Sequence, residues 1–423
     1  MHCSNPQDAP SKRGISGAAS FRHSHTADES CQRDAVKTEQ ETALEQSRFL
    51  REVRTFDFIA RRLWPLLRPL ARSHLEPRCR ICAVPSAYSE LNAGGICTAC
   101  LQHDEHSAQA ASGDEADRQL VADVHASLSA AQGSGGNYDA ILLFSGGKDS
   151  CYLLHRIQQD YPGLRMLALL VDNGFMSPVA LRNAASTIAR FNVDHVIFKP
   201  DPTFVRKLFN LAFREIPRQH GYSIVDMMDG QLTFDSARNL AANLDVPLIV
   251  CGLGRTQVAN IFGGVRIELS EEDERNPLAA RQNLNLEEHF TADDMRHWFD
   301  RERWPQHRRP RVLMPLVAWN PAESDIVAMV ERLGLLRRGQ GNPLLTNNAF
   351  IPLIAISEVA TFGFNSFEIE FSRLIREGRI PQRYWRNLFE MVEYSARTGR
   401  FLSKSSLEVL QRLGLSRHDV GLN

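Results

Sequence analysis

Tyr138-Asp139-Ala140-Ile141-Leu142-Leu143-Phe144-Ser145-Gly146-Gly147-Lys148-Asp149-Ser150 runs an apolar segment, Ala140 to Phe144, into a polar, glycine-bearing hexapeptide. A second apolar segment with helical spacing, Cys151-Tyr152-Leu153-Leu154, follows at once. The pattern predicts a strand, a glycine turn and a helix start. That geometry gathers free backbone N–H groups and a helix N-terminus at one point, which makes an anion site. Gly146 and Gly147 let the backbone approach a phosphate with no Cβ in the way. Lys148 adds a positive charge, and the hydroxyls of Ser145 and Ser150 can donate hydrogen bonds. The stretch is expected to hold a polyphosphate. Its spacing is neither that of the Walker P-loop nor that of GxGxxG.

Basic residues elsewhere are nearly all arginine. The only lysines are Lys12, Lys37, Lys148, Lys199, Lys207 and Lys404, so one of very few falls inside the turn. A compact ammonium acts on phosphate as a point charge, unlike a planar guanidinium.

The 423 residues give room for two or three domains, and the net charge of −1 sets up no global field favouring nucleic acid or an anionic membrane. No apolar run approaches the ~20 residues of a membrane span. The N-terminus, MHCSNPQDAPSKRG, lacks the apolar core of a secretory signal, so a cytoplasmic location is expected.

Residues 1–45 are polar and aperiodic and are read as a disordered extension. A helical segment is expected over 46–77, with a break near Pro65, then a cysteine module over 78–104 and a helix with a Gly/Ser linker over 105–137. From 138 to 285, apolar runs alternate with helical patterns. Strands are expected at Ala140–Phe144, Leu164–Val171, Val196–Phe198 and Pro247–Cys251. The expected fold class is α/β, a parallel sheet with helices on both faces. A small zinc ribbon precedes it, and a helical C-terminal region over 286–423 follows, where strand signals fade. Ligands in such sheets bind beyond the carboxyl ends of the strands, where the phosphate turn, Asp172 and Gly252 should all lie.

Cys79-x-x-Cys82 and Cys97-x-x-Cys100 are separated by 14 residues. Each pair can wrap two thiolates around one tetrahedral ion, and Gly94-Gly95 supplies the turn between them. A structural zinc is the leading reading, with an iron–sulfur cluster or unmetallated thiols as alternatives. Four thiolates close the coordination sphere, so the metal should take no part in chemistry.

The turn resembles the PP-loop of the ATP pyrophosphatase superfamily, whose signature is SGGxDS. The cysteine module narrows the likeness. Cys79-x-x-Cys82-x-x-Pro85, Gly95-Ile96-Cys97-x-Ala99-Cys100, the SGGKDS turn, Asp172-Asn173-Gly174-Phe175 and VDHVIFKPD over 193–201 resemble N-acetyl sugar amidotransferases. The resemblance covers roughly residues 78–260. It implies ATP, Mg2+ and adenylation of a substrate oxygen, followed by displacement of AMP by ammonia from a separate glutaminase subunit. It places Ser145, Gly146, Gly147, Lys148, Asp149 and Ser150 on the phosphates, with Lys148 and Asp149 catalytic. Asp172 and Gly252 would lie beside the adenosine and the reacting centre. Asp172 has a second reading as a turn residue. The segment Cys251-Gly252-Leu253-Gly254-Arg255-Thr256-Gln257 departs from the family pattern, and so does the N-terminal extension.

Sulfur transferases that use the same adenylation, on a small molecule or on tRNA, are the alternative. Asp226-Met227-Met228-Asp229-Gly230-Gln231 carries none of the cysteines such enzymes commonly place there. Cys151 and Cys251 are read as packed thiols. The run Arg301–Arg311, with Trp304, is read as a solvated loop, so nucleic acid is not the expected partner and a small-molecule substrate is. A non-enzymatic ATP-binding subunit is disfavoured by the intact Lys148, Asp149 and Ser150.

Overall fold

The computed structural model describes residues 47–107, 113–134, 136–219, 223–275, 284–336 and 348–422. The expected N-terminal extension lies outside the described residues. Five parallel strands form one sheet: β1 (Ala140–Leu143), β2 (Met166–Val171), β3 (Asp194–Phe198), β4 (Leu248–Val250) and β5 (Arg311–Leu313). Their order is β3-β2-β1-β4-β5. The chain therefore builds outward from β1 on one side, then returns to the other side of β1 for β4 and β5. The reversal lies between β1 and β4, and a crevice opens there at the carboxyl edge.

Described helices of eight or more residues beyond the cysteine module are α1 (Gly113–Ala131), α2 (Lys148–Asp160), α3 (Pro178–Phe191), α4 (Pro202–Gln219), α5 (Ile224–Leu244) and α6 (Arg255–Phe262). After β5 come the short α7 (Pro315–Trp319), then α8 (Glu323–Arg332), α9 (Ile351–Phe362), α10 (Ser366–Arg376), α11 (Gln382–Thr398) and α12 (Lys404–Leu413).

Strand side chains alternate between faces with period two. Ala140, Leu142 and Phe144 pack with Leu153, Leu154, Ile157, Ile188 and Val330 of α2, α3 and α8. Ile141 and Leu143 face Phe234, Ala237 and Val258 of α5 and α6. Both faces are covered, as the continuous apolar strands require. β3 departs from this pattern, because it is the edge: Val196, Ile197 and Phe198 are substantially exposed.

β5 lies inside the segment where strand signals fade. Its three residues, Arg311 to Leu313, are too short to make a pattern, and the parallel register with Leu248–Val250 makes them a strand. The helix expected to break near Pro65 instead continues over 47–71. Its middle turn, Ile59–Leu63, widens to a π-helix, and Pro65 follows in the first turn of Trp64–Ala71. Trp64 N–H donates to Ile59 O across the wide turn, and Pro65, which has no N–H, falls where a helix start needs none. α9 lies within the region expected to be helical; its sequence, IPLIAISEVATF, is apolar nearly all round, and the helix is correspondingly buried among its neighbours.

Candidate active site

β1 delivers the chain into the turn at the reversal point. Gly146 takes φ +71°, and a Cβ there would sit 2.6 Å from Ala180 O and Ala184 N on α3. Only glycine satisfies both the dihedral and the approach. Gly147 caps α2 in extended geometry, so the first N–H groups of that helix have no intrahelical partner and face the crevice. Ser145 Oγ accepts from Gly147 N–H at 3.3 Å, and Ser150 Oγ donates to Gly147 O at 3.1 Å. These hydroxyls brace the turn. Gly252, just beyond β4, packs against it across the crevice: a Cβ there would stand 3.5 Å from Ser150 N.

A cavity of about 290 Å3 occupies this crevice. Ser145 to Ser150 and Gly252 all line it, with Leu169, Met176 and Phe234 forming apolar walls. Asp172 is at the end of β2 as expected, but it does not line the cavity. Its carboxylate accepts from Gly174 N–H at 2.9 Å and meets Lys199 Nζ at 3.1 Å, which is the geometry of a turn residue.

Lys148 is 8% exposed. Its ammonium lies 2.6 Å from Asp149 and 3.4 Å from Glu323 on α8. Burial works against its charge, but these two carboxylates outweigh it and raise the pKa above the ordinary lysine value. Glu323 itself is pushed up by burial while Lys148 pulls it down.

Lys148 and Asp149 also border a second, larger cavity of about 920 Å3, which shares Gly230, Phe234, Leu253 and Gln257 with the first. Asp226 and Asp229 of α5, Glu323 of α8 and Glu370 of α10 give it an acidic wall. Burial pushes Asp229 up to about 6 against hydrogen bonds from Asn173 and Asn348. Burial likewise raises Glu370 to about 7, with Lys148 opposing. Asp226 is raised by burial and then by the charges of Glu358, Asp229 and Glu370.

The sequence reading missed Glu323 and Glu370, which reach the site from more than 170 residues away with no local signal. Asp226 and Asp229 were missed too, since their stretch was read only for its lack of cysteines; the available signal was two carboxylates one helical turn apart, ahead of Gly230. Cys251 lines the smaller cavity, and burial pushes its thiol up to about 11. Cys151 is buried beside Thr187 and pushed up to about 12. Both are neutral thiols at ordinary pH.

The four cysteines of the N-terminal module are buried, with all Sγ atoms within 4.8 Å of one another. Cys79 and Cys100 are 3.8 Å apart, and Cys82 and Cys97 are 3.6 Å apart. Burial opposes ionisation of Cys79, yet backbone N–H groups of Cys82, Cys97 and Ile81 outweigh it and bring the thiol down to about 7. Burial pushes Cys100 up to about 11 and raises Cys82 further still, so an ion bound by all four sulfurs would have to displace those protons.

No family model matches the chain. An uncharacterised protein of Methanocaldococcus jannaschii is 39% identical over 69 residues, 16% of this chain; the chain spans 24% of that relative's length. Solved structures similar in chain course include an NMN synthetase from Francisella tularensis (TM-score 0.34, 14% identity, 74% of this chain and 97% of that one). A U34-tRNA thiolase from Methanococcus maripaludis with its 4Fe-4S cluster gives 0.32 and 14%, over 74% of this chain and 89% of that one. An NH3-dependent NAD synthetase from Campylobacter jejuni gives 0.32 and 13%, over 63% and 96%. Among the described residues no helix is long and apolar enough to cross a membrane.

Proposed function

We propose that the protein is an ATP-dependent, AMP-forming ligase or transferase of the PP-loop type. One observation carries this: the glycine turn after β1 meets Gly252 at the point where strand order reverses, with Lys148 buried against it. The smaller cavity takes ATP. Its apolar walls suit the adenine, and the turn's N–H groups with Lys148 receive the phosphates. Asp149 and Glu323 offer hard carboxylate oxygens for Mg2+, which would screen charge on the leaving pyrophosphate. Lys148, released from these carboxylates, follows the phosphate charge.

The acceptor, a small molecule with a carbonyl or carboxyl oxygen, enters through the larger cavity. Its oxygen attacks the α-phosphorus, and the bond to the β-phosphate oxygen breaks with its electrons going to pyrophosphate. Ammonia then adds at the activated carbon, the bond to AMP breaks, and a proton is lost to solvent or to a wall carboxylate. Ammonia would come from a glutaminase partner. A sugar acceptor fits the family resemblance. The neutral state of Cys251 and Cys151 weighs against a resident persulfide and so favours nitrogen over the sulfur-transfer alternative.

The cysteine module is read as a structural zinc site. A tetrahedron with Zn–S of ~2.3 Å has edges of about 3.8 Å, matching the Sγ spacings. Four sulfurs that close suit one ion and are too near to enclose a four-iron cluster.

The test is product analysis with ATP, ammonium and candidate acceptors. AMP and pyrophosphate are expected; ADP and phosphate would refute the reading. Lys148→Ala should lower pyrophosphate release by at least about a hundredfold and leave the protein folded.

A further inference from the structure

From Phe58 to Leu75 the chain reads FIARRLWPLLRPLARSHL, with no acidic residue. It forms the second half of the helix over 47–71 and the short turn after it. One side of this helix is fixed to the body. Ala60, Trp64 and Ala71 are buried, Trp64 Nε1–H donates to Glu390 Oε2 at 2.8 Å, and Arg68 Nε–H donates to the same carboxylate at 2.6 Å. The other side faces solvent. Phe58 is 55% exposed, Leu66 73%, Leu67 44% and Leu70 82%.

Arg54, Arg62 and Arg72 are exposed along the same element and have no acidic partner among the described residues. Phe401 is a further exposed apolar side chain, reached through the buried side of the helix. It is 81% exposed and takes φ +61°, a strained conformation for an aromatic residue. Its ring stands 6.3 Å from Tyr394, which in turn touches Trp64 at 5.8 Å. Exposed Arg400 precedes it.

We propose that this leucine–arginine face seats the protein on an anionic lipid surface. The leucines and Phe58 enter the headgroup–acyl boundary, and the arginines meet headgroup phosphates. Protruding apolar side chains flanked by unpaired cations are complementary to that surface. A second copy is a poor occupant, since a two-fold contact would bring two copies of the arginine-bearing segment together, and residues 58–75 contain no acid to pair them. The whole-chain charge of −1 conceals this local excess.

The test is co-sedimentation of the full chain with vesicles of neutral phosphatidylcholine, or of phosphatidylcholine containing phosphatidylglycerol. The protein should pellet with the anionic vesicles and be released by salt. Leu66→Ser with Leu70→Ser should weaken binding at least about tenfold, and should leave pyrophosphate release and the unfolding midpoint unchanged. No pelleting at low salt, equal pelleting with neutral vesicles, or full binding by the double variant overturns the proposal. Light scattering that shows a dimer split by the double variant assigns the face to a second copy instead. Retention on polyglutamate beads, lost in the double variant, together with indifference to vesicles, assigns it to an acidic protein.

Discussion

Gly146 carries two separate demands, and they can be measured apart. Its φ of +71° alone costs a residue with a Cβ roughly 1–2 kcal/mol. The 2.6 Å approach to Ala180 O and Ala184 N adds a clash with backbone that cannot rotate away. Gly133 has nearly the same φ, +72°, with open space where its Cβ would be. Gly133→Ala should therefore cost only the dihedral term in denaturant unfolding. Gly146→Ala should exceed it by about 2 kcal/mol and abolish ATP binding. Equal costs would mean that the turn is not wedged against α3. Glu323 permits a second comparison at this scale. If its carboxylate shares Mg2+ with Asp149, Glu323→Gln should raise the Mg2+ concentration needed for half-maximal pyrophosphate release several-fold. A variant slowed equally at all Mg2+ concentrations would confine Glu323 to positioning Lys148.

At the scale of elements, the glycine turn between strand and helix was legible because its information is local: an apolar strand, two glycines, a lysine and a helix start within 13 residues. The cysteine module was legible for the same reason. Its two pairs converge as the spacing implies, with Gly95 at φ +73° in the turn between them. What the sequence did not disclose depends on distance along the chain. Glu323 and Glu370 become site residues only because α8 and α10 fold back beside Lys148. Asp172 looked like a ligand-facing strand end until Gly174 and Lys199 took its carboxylate. β5 is a strand only through its neighbour β4. The cysteine module also yields a measurement of its own. Purified protein should contain about one zinc per chain, and Cys97→Ser should lose it, with a lower unfolding midpoint and unchanged sheet spectra. Iron in place of zinc would contradict the sulfur spacing and revive the sulfur-transfer reading.

Over the whole molecule, one buried arginine ties the cysteine module to the C-terminal helices. Arg78, beside Cys79, bonds Glu368 of α10 at 3.0 Å and Glu393 of α11 at 2.8 Å, and both glutamates are fully buried. Arg78 lies between both carboxylates, and Arg397 reaches Glu393 as well at 3.1 Å, so Glu368 is the one with Arg78 as its single cation partner. Burial, only partly offset by Arg78 and reinforced by Glu393, pushes Glu368 up to about 7 from its ordinary 4.5. A carboxyl whose pKa is raised on folding binds its proton more tightly in the native state. Its contribution is complete below about pH 4.5 and is lost as pH climbs through 7. The slope is at most ~1.4 kcal/mol per pH unit for one proton, so the fall across this window is on the order of 3 kcal/mol. Asp139 acts in another range. Burial favours its neutral form, but Arg165 and backbone N–H groups prevail and hold it at about 2, so its support fails only in strong acid. Urea unfolding between pH 5 and 8 should thus show stability declining with pH. Glu368→Gln keeps an oxygen acceptor for Arg78 and removes the titrating proton, so its curve should be flatter and cross above the wild type near neutrality. Parallel curves for the two proteins would mean that Glu368 is ionised throughout and that Arg78 balances it while Arg397 serves Glu393.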